Sequence, residues 1–307
     1  MDPPSPAIPE ALDLRHSPPQ RVLFVGASGF LGRHIAATLT AHWHTAVPVS
    51  RRRGLDMTNF DHPEAWQPLL MDIDAVINAA GILVKQQGQT FEAVHVRAPQ
   101  ALFEACMRAG VARVIQVSAL GADDSAFSTY HLSKRAADDA LRRISLDWFI
   151  LRPSLVHGAD GDSARVLLRC ARLPRIPVLG TGRQRIQPVL VEDVCATVLA
   201  CLRASQARQT LDVVGAEPLD FAQWLQRLRA TQGLPQARLL HIPTAWAYAF
   251  VALAGWISPL LRRENLRMRE AGNVADARPL ARFLGRPLAT ISPVSHARAG
   301  GTHGEAS

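Results

Sequence analysis

The sequence has 307 residues, of which 48% are hydrophobic and 20% are charged, and its mean hydropathy is +0.04. This composition predicts a soluble chain with one large α/β domain or two smaller ones, and it excludes disordered, collagen-like and disulfide-scaffold proteins. The net charge is +8, and the four cysteines show no CxxC spacing, so we expect a reducing, cytoplasmic compartment and no metal site.

The charge is divided unevenly along the chain. Residues 1–150 hold 14 Lys and Arg against 15 Asp and Glu, whereas residues 151–307 hold 20 against 11. A basic second half favours an anionic neighbour such as a phosphorylated substrate, a membrane surface or another protein, and arginine-rich codon usage is the alternative explanation. No nucleic-acid motif is visible, and with 6% aromatic residues we expect no nucleic-acid partner.

The first twenty residues, MDPPSPAIPEALDLRHSPPQ, are rich in proline and lack the basic start and apolar core of a signal peptide. We therefore predict a disordered tail over 1–20. Short apolar strands then alternate with helical stretches, which predicts a parallel sheet with right-handed crossovers, that is, a Rossmann-type doubly wound α/β fold. The predicted strands are 21–25, 45–50, 74–78, 113–118 and 148–151, and the predicted helices are 33–42, 91–109 and 130–143.

From about residue 155 the pattern loosens into loops rich in glycine and proline, which often form a substrate cleft beside the nucleotide half. A helix from Glu192 to Leu202, a strand over 211–214 and a helix over 221–230 capped by Asp220 complete a predicted dinucleotide-binding domain over 21–240.

Residues 242–261 carry no charge, and Pro243 and Pro259 leave about fifteen residues for a helix over 244–258, too few to span a bilayer. Four arginines follow at 262, 263, 267 and 269. The helix either lies on a membrane surface or partner, with its arginines on anionic lipid, or covers the protein's own core. We assign 241–291 to a C-terminal apolar and Arg-rich region and 292–307 to a disordered tail.

Three glycines, Gly26, Gly29 and Gly32, stand at the first strand-to-helix junction. The first permits a tight turn, the second lets backbone approach a pyrophosphate, and the third allows close helix packing. This placement after the first strand of an alternating pattern predicts a dinucleotide site. We therefore expect cofactor contacts from these glycines and from Ser28, Phe30 and Leu31.

The end of the second strand discriminates between the two nicotinamide cofactors. An acid at this position binds the ribose of NAD, whereas arginine accommodates the 2′-phosphate of NADP. Here Ser50 is followed by Arg51, Arg52 and Arg53 with no acid, and Arg33 is within reach of the same phosphate. We expect NADP(H) in preference to NAD(H). Adenine and ribose are expected beside Asp56, Met57 and the Ala79-Ala80-Gly81 turn, although Asp56 is equally a candidate loop cap.

The segment Tyr130-His-Leu-Ser-Lys134 places a phenol and an ammonium one helical turn apart, in a chain with two tyrosines (Tyr130 and Tyr248) and two lysines (Lys85 and Lys134). A lysine beside tyrosinate lowers the pKa of the phenol, which can then exchange a proton with a carbonyl or alcohol. The alternative is that the pair only holds the nicotinamide ribose.

These motifs resemble the extended and atypical branch of the short-chain dehydrogenase/reductase superfamily, also called the NAD-dependent epimerase/dehydratase superfamily. GASGFLG resembles its nucleotide loop, YHLSK its catalytic Tyr-xxx-Lys, and LRPSLVHG its strand beside nicotinamide, which implies a cofactor contact at Pro153. The segments VIQVSALGAD and ISPLLRRENLRMREAGNVADARPLARFLGRPLATI are similar to the NADPH-binding accessory subunit of respiratory complex I.

One position departs from that pattern. Members of the branch usually carry Ser or Thr two residues beyond the first serine of the fourth strand end, where this chain has Leu120 after Ser118. Ser118 itself is our candidate oxyanion donor, with Ser125, Ser128 and Thr129 as substitutes. His95 occupies a position where the family often has asparagine, either as a site group or as a structural residue.

Two functions remain open from the sequence. The first is an NADP(H)-binding oxidoreductase or epimerase/dehydratase in which Tyr130 is the acid/base, Lys134 binds ribose and Arg185 holds a small, anionic substrate. The second is a non-catalytic NADPH-binding accessory or assembly protein related to the complex I subunit, associated with the inner face of a membrane or with a respiratory partner.

Overall fold

The computed structural model describes residues 18–85, 88–245 and 273–291. Its centre is a parallel six-stranded sheet in the order β10-β5-β4-β3-β1-β2. The chain winds outward in both directions from β1, so the predicted doubly wound Rossmann fold is confirmed. The sheet strands are β1 (Arg21–Val25), β2 (Thr45–Val49), β3 (Ala75–Asn78), β4 (Arg113–Val117), β5 (Asp147–Pro153) and β10 (Gln209–Val213).

Helices cover both faces of this sheet. The stretch predicted as one helix over 91–109 begins as a π-helix, Glu92–Arg97, and continues as α3, which ends where Gly110 adopts a left-handed conformation. The helices are α1 (Phe30–Ala41), α2 (Pro63–Trp66), α3 (Ala98–Ala109), α4 (Thr129–Arg142), α5 (Asp162–Arg172), α6 (Val191–Arg203), α7 (Phe221–Ala230) and α8 (Arg278–Leu284).

The core has two layers because successive residues of a strand face opposite sides of the sheet. Val22 and Phe24 of β1 pack with α1, α6 and α8, whereas Leu23 and Val25 pack with α3 and α4. Both faces of β1 are therefore buried, which explains its uninterrupted apolar sequence.

The region after β5 is more regular than the loops that the sequence predicted. It contains α5 and three two-stranded pairs, in which β6 (Val156–His157) pairs with β9 (Val189–Leu190), β7 (Arg175–Leu179) with β12 (Arg238–Ile242), and β8 (Arg185–Ile186) with β11 (Leu219–Asp220). Helix α5 escaped prediction because its fully buried positions are alanines (Ala164 and Ala171) rather than large apolar residues. The predicted helix over 221–230 is confirmed, with Asp220 at its N-cap position, and the Asp220 N–H donates to Gln223 Oε1 at 3.0 Å.

The C-terminal described segment, 273–291, packs onto the dinucleotide half. Asp193 of α6, which is fully buried, accepts from Arg286 Nη2 at 2.6 Å and from the Ala289 N–H at 2.8 Å. Near the start of the segment, the Ala275 N–H donates to Gln187 Oε1. Residues 246–272 lie outside the described residues, so the predicted helix over 244–258 and its arginines are largely beyond the structure, as are residues 1–17 and the tail over 292–307.

Candidate dinucleotide and catalytic site

The glycine loop between β1 and α1 is packed too closely to admit side chains at two positions. Gly26 has φ +87°, and a Cβ there would lie 2.7 Å from the backbone nitrogen of Ala80. A Cβ on Gly32 would lie 2.1 Å from the Gly26 carbonyl oxygen. The loop therefore holds β1, β3 and α1 together at the carboxyl edge of the sheet, where doubly wound folds bind nucleotides.

Gly29 serves a different purpose in the same loop. A Cβ on this residue would meet one described atom within 4 Å, the Gly26 carbonyl oxygen at 3.4 Å. Gly29 is the N-cap of α1, whose first turn contains no acid and which, among the described residues, receives no side-chain cap. The Gly29 N–H donates to the Gly26 carbonyl oxygen at 3.1 Å. Amides of the first turn, at the positive end of a helix, suit a phosphate group, so Phe30 and Leu31 are the candidates for the diphosphate of a dinucleotide.

Arg33 lies beside this loop with partners that the sequence did not indicate. Its Nη1 donates to the Ser28 carbonyl oxygen at 3.3 Å, and its Nη2 donates to Asp160 at 3.1 Å. His34 Nε2 lies 2.7 Å from the other Asp160 oxygen. Asp160 lies more than a hundred residues further along the chain. Its carboxylate pairs with the Arg33 guanidinium, which we expected to be available for a 2′-phosphate.

The arginines after β2 are open to solvent. Ser50 is buried, and Arg51–Arg53 form a 3-10 turn with exposed side chains that ends at Gly54 in a left-handed conformation. The turn follows β2, whose end contacts the ribose 2′-hydroxyl or 2′-phosphate in dinucleotide-binding folds of this type. Arg51 and Arg52 therefore stand exposed at the end of β2.

Asp56 acts as a loop cap, the alternative that the sequence had left open. Its carboxylate accepts from the Thr58 N–H at 3.0 Å and from Gln89 Nε2 at 3.1 Å. Burial opposes ionisation, but these hydrogen bonds and the charge of Arg51 together lower the pKa of Asp56. The cap begins the 3-10 turn Met57–Asn59, in which Met57 is buried.

The turn after β3 lies against Lys134. Asn78 fixes the turn through its side chain, which donates to Gln116 at 2.8 Å and accepts from the Ala80 N–H at 3.2 Å. A Cβ on Gly81 would lie 3.1 Å from Lys134 Nζ. The structure therefore brings the predicted cofactor turn, Ala79–Gly81, next to the predicted Tyr–Lys pair.

Lys134 is buried on α4, where its ammonium faces backbone carbonyls. Nζ donates to the Val117 carbonyl oxygen at 3.0 Å and to the Ala80 carbonyl oxygen at 3.3 Å. Burial lowers the pKa of Lys134 to about 8, with the charge of Asp138 acting in the opposite direction. The helix begins next to Ser128, whose hydroxyl accepts from the His131 N–H.

The Tyr130 side chain is partly buried beside three other aromatic rings. The Tyr130 ring centroid lies 6.0 Å from that of Phe91, 5.7 Å from that of His95 and 5.3 Å from that of His131. Burial, assisted by the negative charge of Asp138, raises the pKa of Tyr130 to about 12. The pKa of this phenol is therefore raised, not lowered as we expected from Lys134, because burial is the largest cause of the shift and the charge of Asp138 acts in the same direction.

His95 is a structural residue of this cluster. Its Nε2 accepts from the Ile82 N–H at 3.0 Å, and its Nδ1 lies 2.9 Å from Ser133 Oγ, which in turn donates to the Tyr130 carbonyl oxygen. Burial, with a contribution from the charge of Lys134, lowers the pKa of His95 to about 2. The imidazole therefore stays neutral and ties the π-helix both to the cofactor turn and to α4.

Ser118, the candidate oxyanion donor, uses its hydroxyl within the protein. Ser118 Oγ donates to Asp138 Oδ2 at 2.7 Å. Asp138 is fully buried, and Arg152 Nε lies 3.8 Å from the same oxygen. Leu120 is buried as well, and its N–H donates to the Pro153 carbonyl oxygen at 3.0 Å.

The remaining candidates also have partners within the protein. Ser125 donates to Asp123, Thr129 opens α4, and Arg185 reaches Asp220 Oδ1 and the Pro218 carbonyl oxygen at 3.3 Å each. Across 18–85, 88–245 and 273–291, no group of three or more potential metal ligands occurs. No helix within those same ranges is long and apolar enough to cross a bilayer.

Comparison with known proteins identifies the family. The sequence model of the NAD dependent epimerase/dehydratase family matches residues 22–214. "Ceramide reductase" of Caulobacter vibrioides (strain NA1000 / CB15N) is 32% identical over 194 residues, which cover 59% of this chain and 61% of that protein. "NADH dehydrogenase [ubiquinone] 1 alpha subcomplex subunit 9, mitochondrial" of Arabidopsis thaliana is 30% identical over 200 residues, which cover 58% of this chain and 49% of that protein. The chain thus spans less than two thirds of the length of either relative.

Solved structures show the same fold. MoeE5 in complex with UDP-glucuronic acid and NAD superposes with a TM-score of 0.63 at 21% identity, covering 88% of this chain and 94% of that one. A dTDP-4-dehydrorhamnose reductase from Bacillus anthracis str. Ames in complex with NADP gives a TM-score of 0.64 at 18% identity, covering 75% and 86%. With the glycine loop and the Tyr–Lys pair in place at the sheet edge, the chain belongs to the NAD dependent epimerase/dehydratase family.

Proposed function

We propose that the chain is an NADP(H)-dependent oxidoreductase that reduces a carbonyl group, with Tyr130 as the proton donor and Lys134 as its partner. The proposal rests on the burial of Lys134 one helical turn after Tyr130. Its Nζ donates hydrogen bonds to the carbonyl oxygens of Val117 and Ala80. Burial of an ammonium group costs folding free energy, and such groups are concentrated at functional sites. The Lys134 ammonium adjoins the predicted cofactor turn.

The protonated phenol is the form of Tyr130 that reduction of a carbonyl requires. Because burial raises the pKa of Tyr130 to about 12, the residue enters the reaction as an acid that can donate its proton to a carbonyl oxygen. When bound, the nicotinamide supplies the hydride. The positive charge of Lys134 favours the phenolate left after proton donation.

Leu120 favours reduction over sugar epimerisation. Its apolar side chain cannot donate a hydrogen bond to a substrate oxygen, and the nearby Ser118 hydroxyl is directed to Asp138. We therefore assign Ser118 to positioning the β4 end against α4, which leaves Tyr130 as the proposed donor to the substrate oxygen.

The substrate class that we propose is a carbonyl on an amphiphilic molecule. Support comes from the relative named ceramide reductase, a name that refers to reduction of a lipid. An anionic group on the substrate would be held by Arg185, which would exchange its contact with Asp220 for the substrate.

NADP(H) is our proposed cofactor because two exposed arginines, Arg51 and Arg52, follow β2 without an acid. Arg33 is engaged with Asp160, so we expect it to contribute less. In the double variant Arg51→Ala/Arg52→Ala, the affinity for NADPH should fall about tenfold or more, while the affinity for NADH stays unchanged. Titration of each cofactor into the variant measures both affinities. Arg33→Ala is the matched comparison, and equal loss of both cofactors in the double variant would contradict the preference.

A second function is supported by the similarity to complex I subunits from Arabidopsis thaliana and Rattus norvegicus, the latter 26% identical over 187 residues. In that alternative the chain keeps NADPH as a structural element and associates with a respiratory or membrane partner. The absence of a hydrogen-bonding group at Leu120 is compatible with both functions.

One experiment separates the two functions. The purified protein is analysed for bound nucleotide, and NADPH oxidation is then measured with long-chain ketones, quinones and nucleotide-sugar ketones. Oxidoreductase function predicts an exchangeable cofactor and turnover that falls at least a hundredfold in Tyr130→Phe while NADPH affinity is retained. Tight, non-exchanging NADPH without turnover of any substrate would instead support the accessory function.

A further inference from the structure

The parallel pair of β7 and β12 has one covered face and one open face. On the covered face, Ile176 and Val178 are fully buried and pack with Leu225 of α7. The opposite face, which we call the outer face, consists of alternate residues on each strand. It is formed by Arg175, Pro177 and Leu179 of β7 and by Arg238, Leu240 and Ile242 of β12.

Large apolar side chains are exposed on the outer face. Leu240 is 51% exposed and Ile242 is 37% exposed, and their register partners Pro177 and Leu179 are only partly buried. An exposed cluster of this kind marks an interaction site more often than an isolated apolar residue does. None of its residues belongs to the Tyr130–Lys134 site, so the proposed reaction does not account for the cluster.

Two arginines stand side by side at the beginning of this face. Arg175 and Arg238 are register partners on neighbouring strands, which are about 4.8 Å apart in a sheet, and both are exposed. Like charges directly opposite one another destabilise a strand pair. Such an arrangement is understandable if an anion neutralises both guanidinium groups.

Among the ion pairs of the described residues, none joins an Asp or Glu to Arg175 or Arg238, whereas Arg165, Arg185 and Arg227 each pair with an acid. Residues 163–191 contain six arginines, and residues 221–245 contain three, without one Asp or Glu in either segment. These two segments include β7, β12 and the helix that packs beneath them. Arg175 and Arg238 therefore give the outer face two adjacent positive charges, which complement an anionic surface.

From these observations we propose that the outer face of the β7–β12 pair binds an anionic lipid surface. Leu240 and Ile242 enter the interfacial region, while Arg175 and Arg238 reach the phosphates of the headgroups with their aliphatic stems along the apolar boundary. This inference does not rest on the proposed reaction, because it concerns residues outside the catalytic cleft.

The test is co-sedimentation of the full chain with vesicles of equal phosphatidylglycerol and phosphatidylcholine, with phosphatidylcholine vesicles as the neutral comparison. We expect binding to the anionic vesicles only, and weakening by added salt. Arg175→Gln/Arg238→Gln should reduce the partition coefficient about thirtyfold. The matched control, Arg143→Gln/Arg278→Gln, removes two charges elsewhere on the exposed surface and should change binding only slightly.

A second variant distinguishes lipid from other occupants of the face. Leu240→Ser/Ile242→Ser should lower vesicle binding without lowering the melting temperature, since both residues are exposed. A drop of more than about 5 °C would mean that the chain itself covers the face. Concentration-dependent dimers that dissociate in this variant, without vesicle binding, would identify a second copy as the partner. Either result, or equal vesicle binding by the arginine variant and its control, overturns the proposal.

Discussion

The Ser118 hydroxyl donates to Asp138 across 2.7 Å, joining the carboxyl end of β4 to the buried face of α4. The other Asp138 oxygen, Oδ1, has no hydrogen-bond partner in the described part of the chain. Burial raises the pKa of Asp138 to about 6, although Ser118, Arg152 and Lys134 act in the opposite direction. Near Tyr130 and Lys134, the protein thus holds a carboxyl group whose pKa lies near 6.

We expect the difference in stability between the variant Asp138→Asn and the parent protein to depend on pH. Its native pKa lies above its unfolded value, so its stabilising contribution is fully present below about pH 4 and is lost as the pH rises through about 6. In the variant Asp138→Asn, the side-chain amide oxygen still accepts from Ser118 but the group carries no charge. We expect the variant to gain about 1–3 kcal/mol relative to the parent between pH 4.5 and 7.5, measured by urea unfolding.

The same variant has a second readout at Tyr130. The charge of Asp138 helps to raise the pKa of this phenol, so Asp138→Asn should move the phenol titration to lower pH. In the urea-unfolding experiment, a difference in stability between variant and parent that is the same at pH 4.5 and pH 7.5 would show that Asp138 does not titrate in this range.

The two lysines provide a matched pair of substitutions. Lys134 Nζ lies where a Cβ on Gly81 would come within 3.1 Å, so the wider guanidinium of Lys134→Arg should cost about 1–3 kcal/mol of stability together with most activity. Lys85 is exposed, with Nζ 5.4 Å from the centre of the Phe91 ring, and Lys85→Arg should change little because arginine makes the same contact. Thermal unfolding of both variants gives the comparison, and equal losses would contradict the assignment.

The pH profile of NADPH oxidation provides an independent test of Lys134. Its pKa of about 8 means that the ammonium loses its charge as the pH rises through that value. We expect the reduction rate to fall on the alkaline side of the profile near pH 8. A rate that stays flat to about two pH units above this pKa would show that the charge of Lys134 is not needed.

Two glycines of the loop between β1 and α1 are expected to have different roles, Gly32 in folding and Gly29 in cofactor binding. A Cβ on Gly32 would overlap the Gly26 carbonyl oxygen at 2.1 Å, so Gly32→Ala should destabilise the protein by several kcal/mol or prevent folding. A Cβ on Gly29 meets that oxygen only at 3.4 Å, so Gly29→Ala should fold normally and lose NADPH affinity. Circular dichroism and NADPH titration measure the two effects. Normal NADPH binding by Gly29→Ala would exclude a diphosphate at this position.

Arg286 is expected to fix the C-terminal segment. Its removal in Arg286→Gln leaves the buried Asp193 with the Ala289 N–H and without its cation, at a cost of about 1–3 kcal/mol. Arg278→Gln is the control on the same segment, because the Arg278 side chain is 85% exposed and its pair with Asp276 should contribute almost nothing. Chemical denaturation that shows equal effects would argue against a role for the buried pair.

The sequence by itself determined the strands of the sheet, the glycine loop and the Tyr130–Lys134 pair, because apolar periodicity and motif spacing are local properties of the chain. It did not reveal α5, whose buried positions are alanines, or the conversion of the stretch before α3 into a π-helix. These features depend on packing against other elements, which leaves no strong local pattern.

Tertiary structure decided the chemical state of the site. The contact between Arg33 and Asp160 joins residues 127 positions apart, and the contact between Ser118 and Asp138 is made only when β4 docks on α4. The sequence indicated that Lys134 would lower the pKa of Tyr130, whereas the folded protein raises it. A pKa depends on desolvation and on every neighbouring charge, and both are fixed only when distant segments pack together.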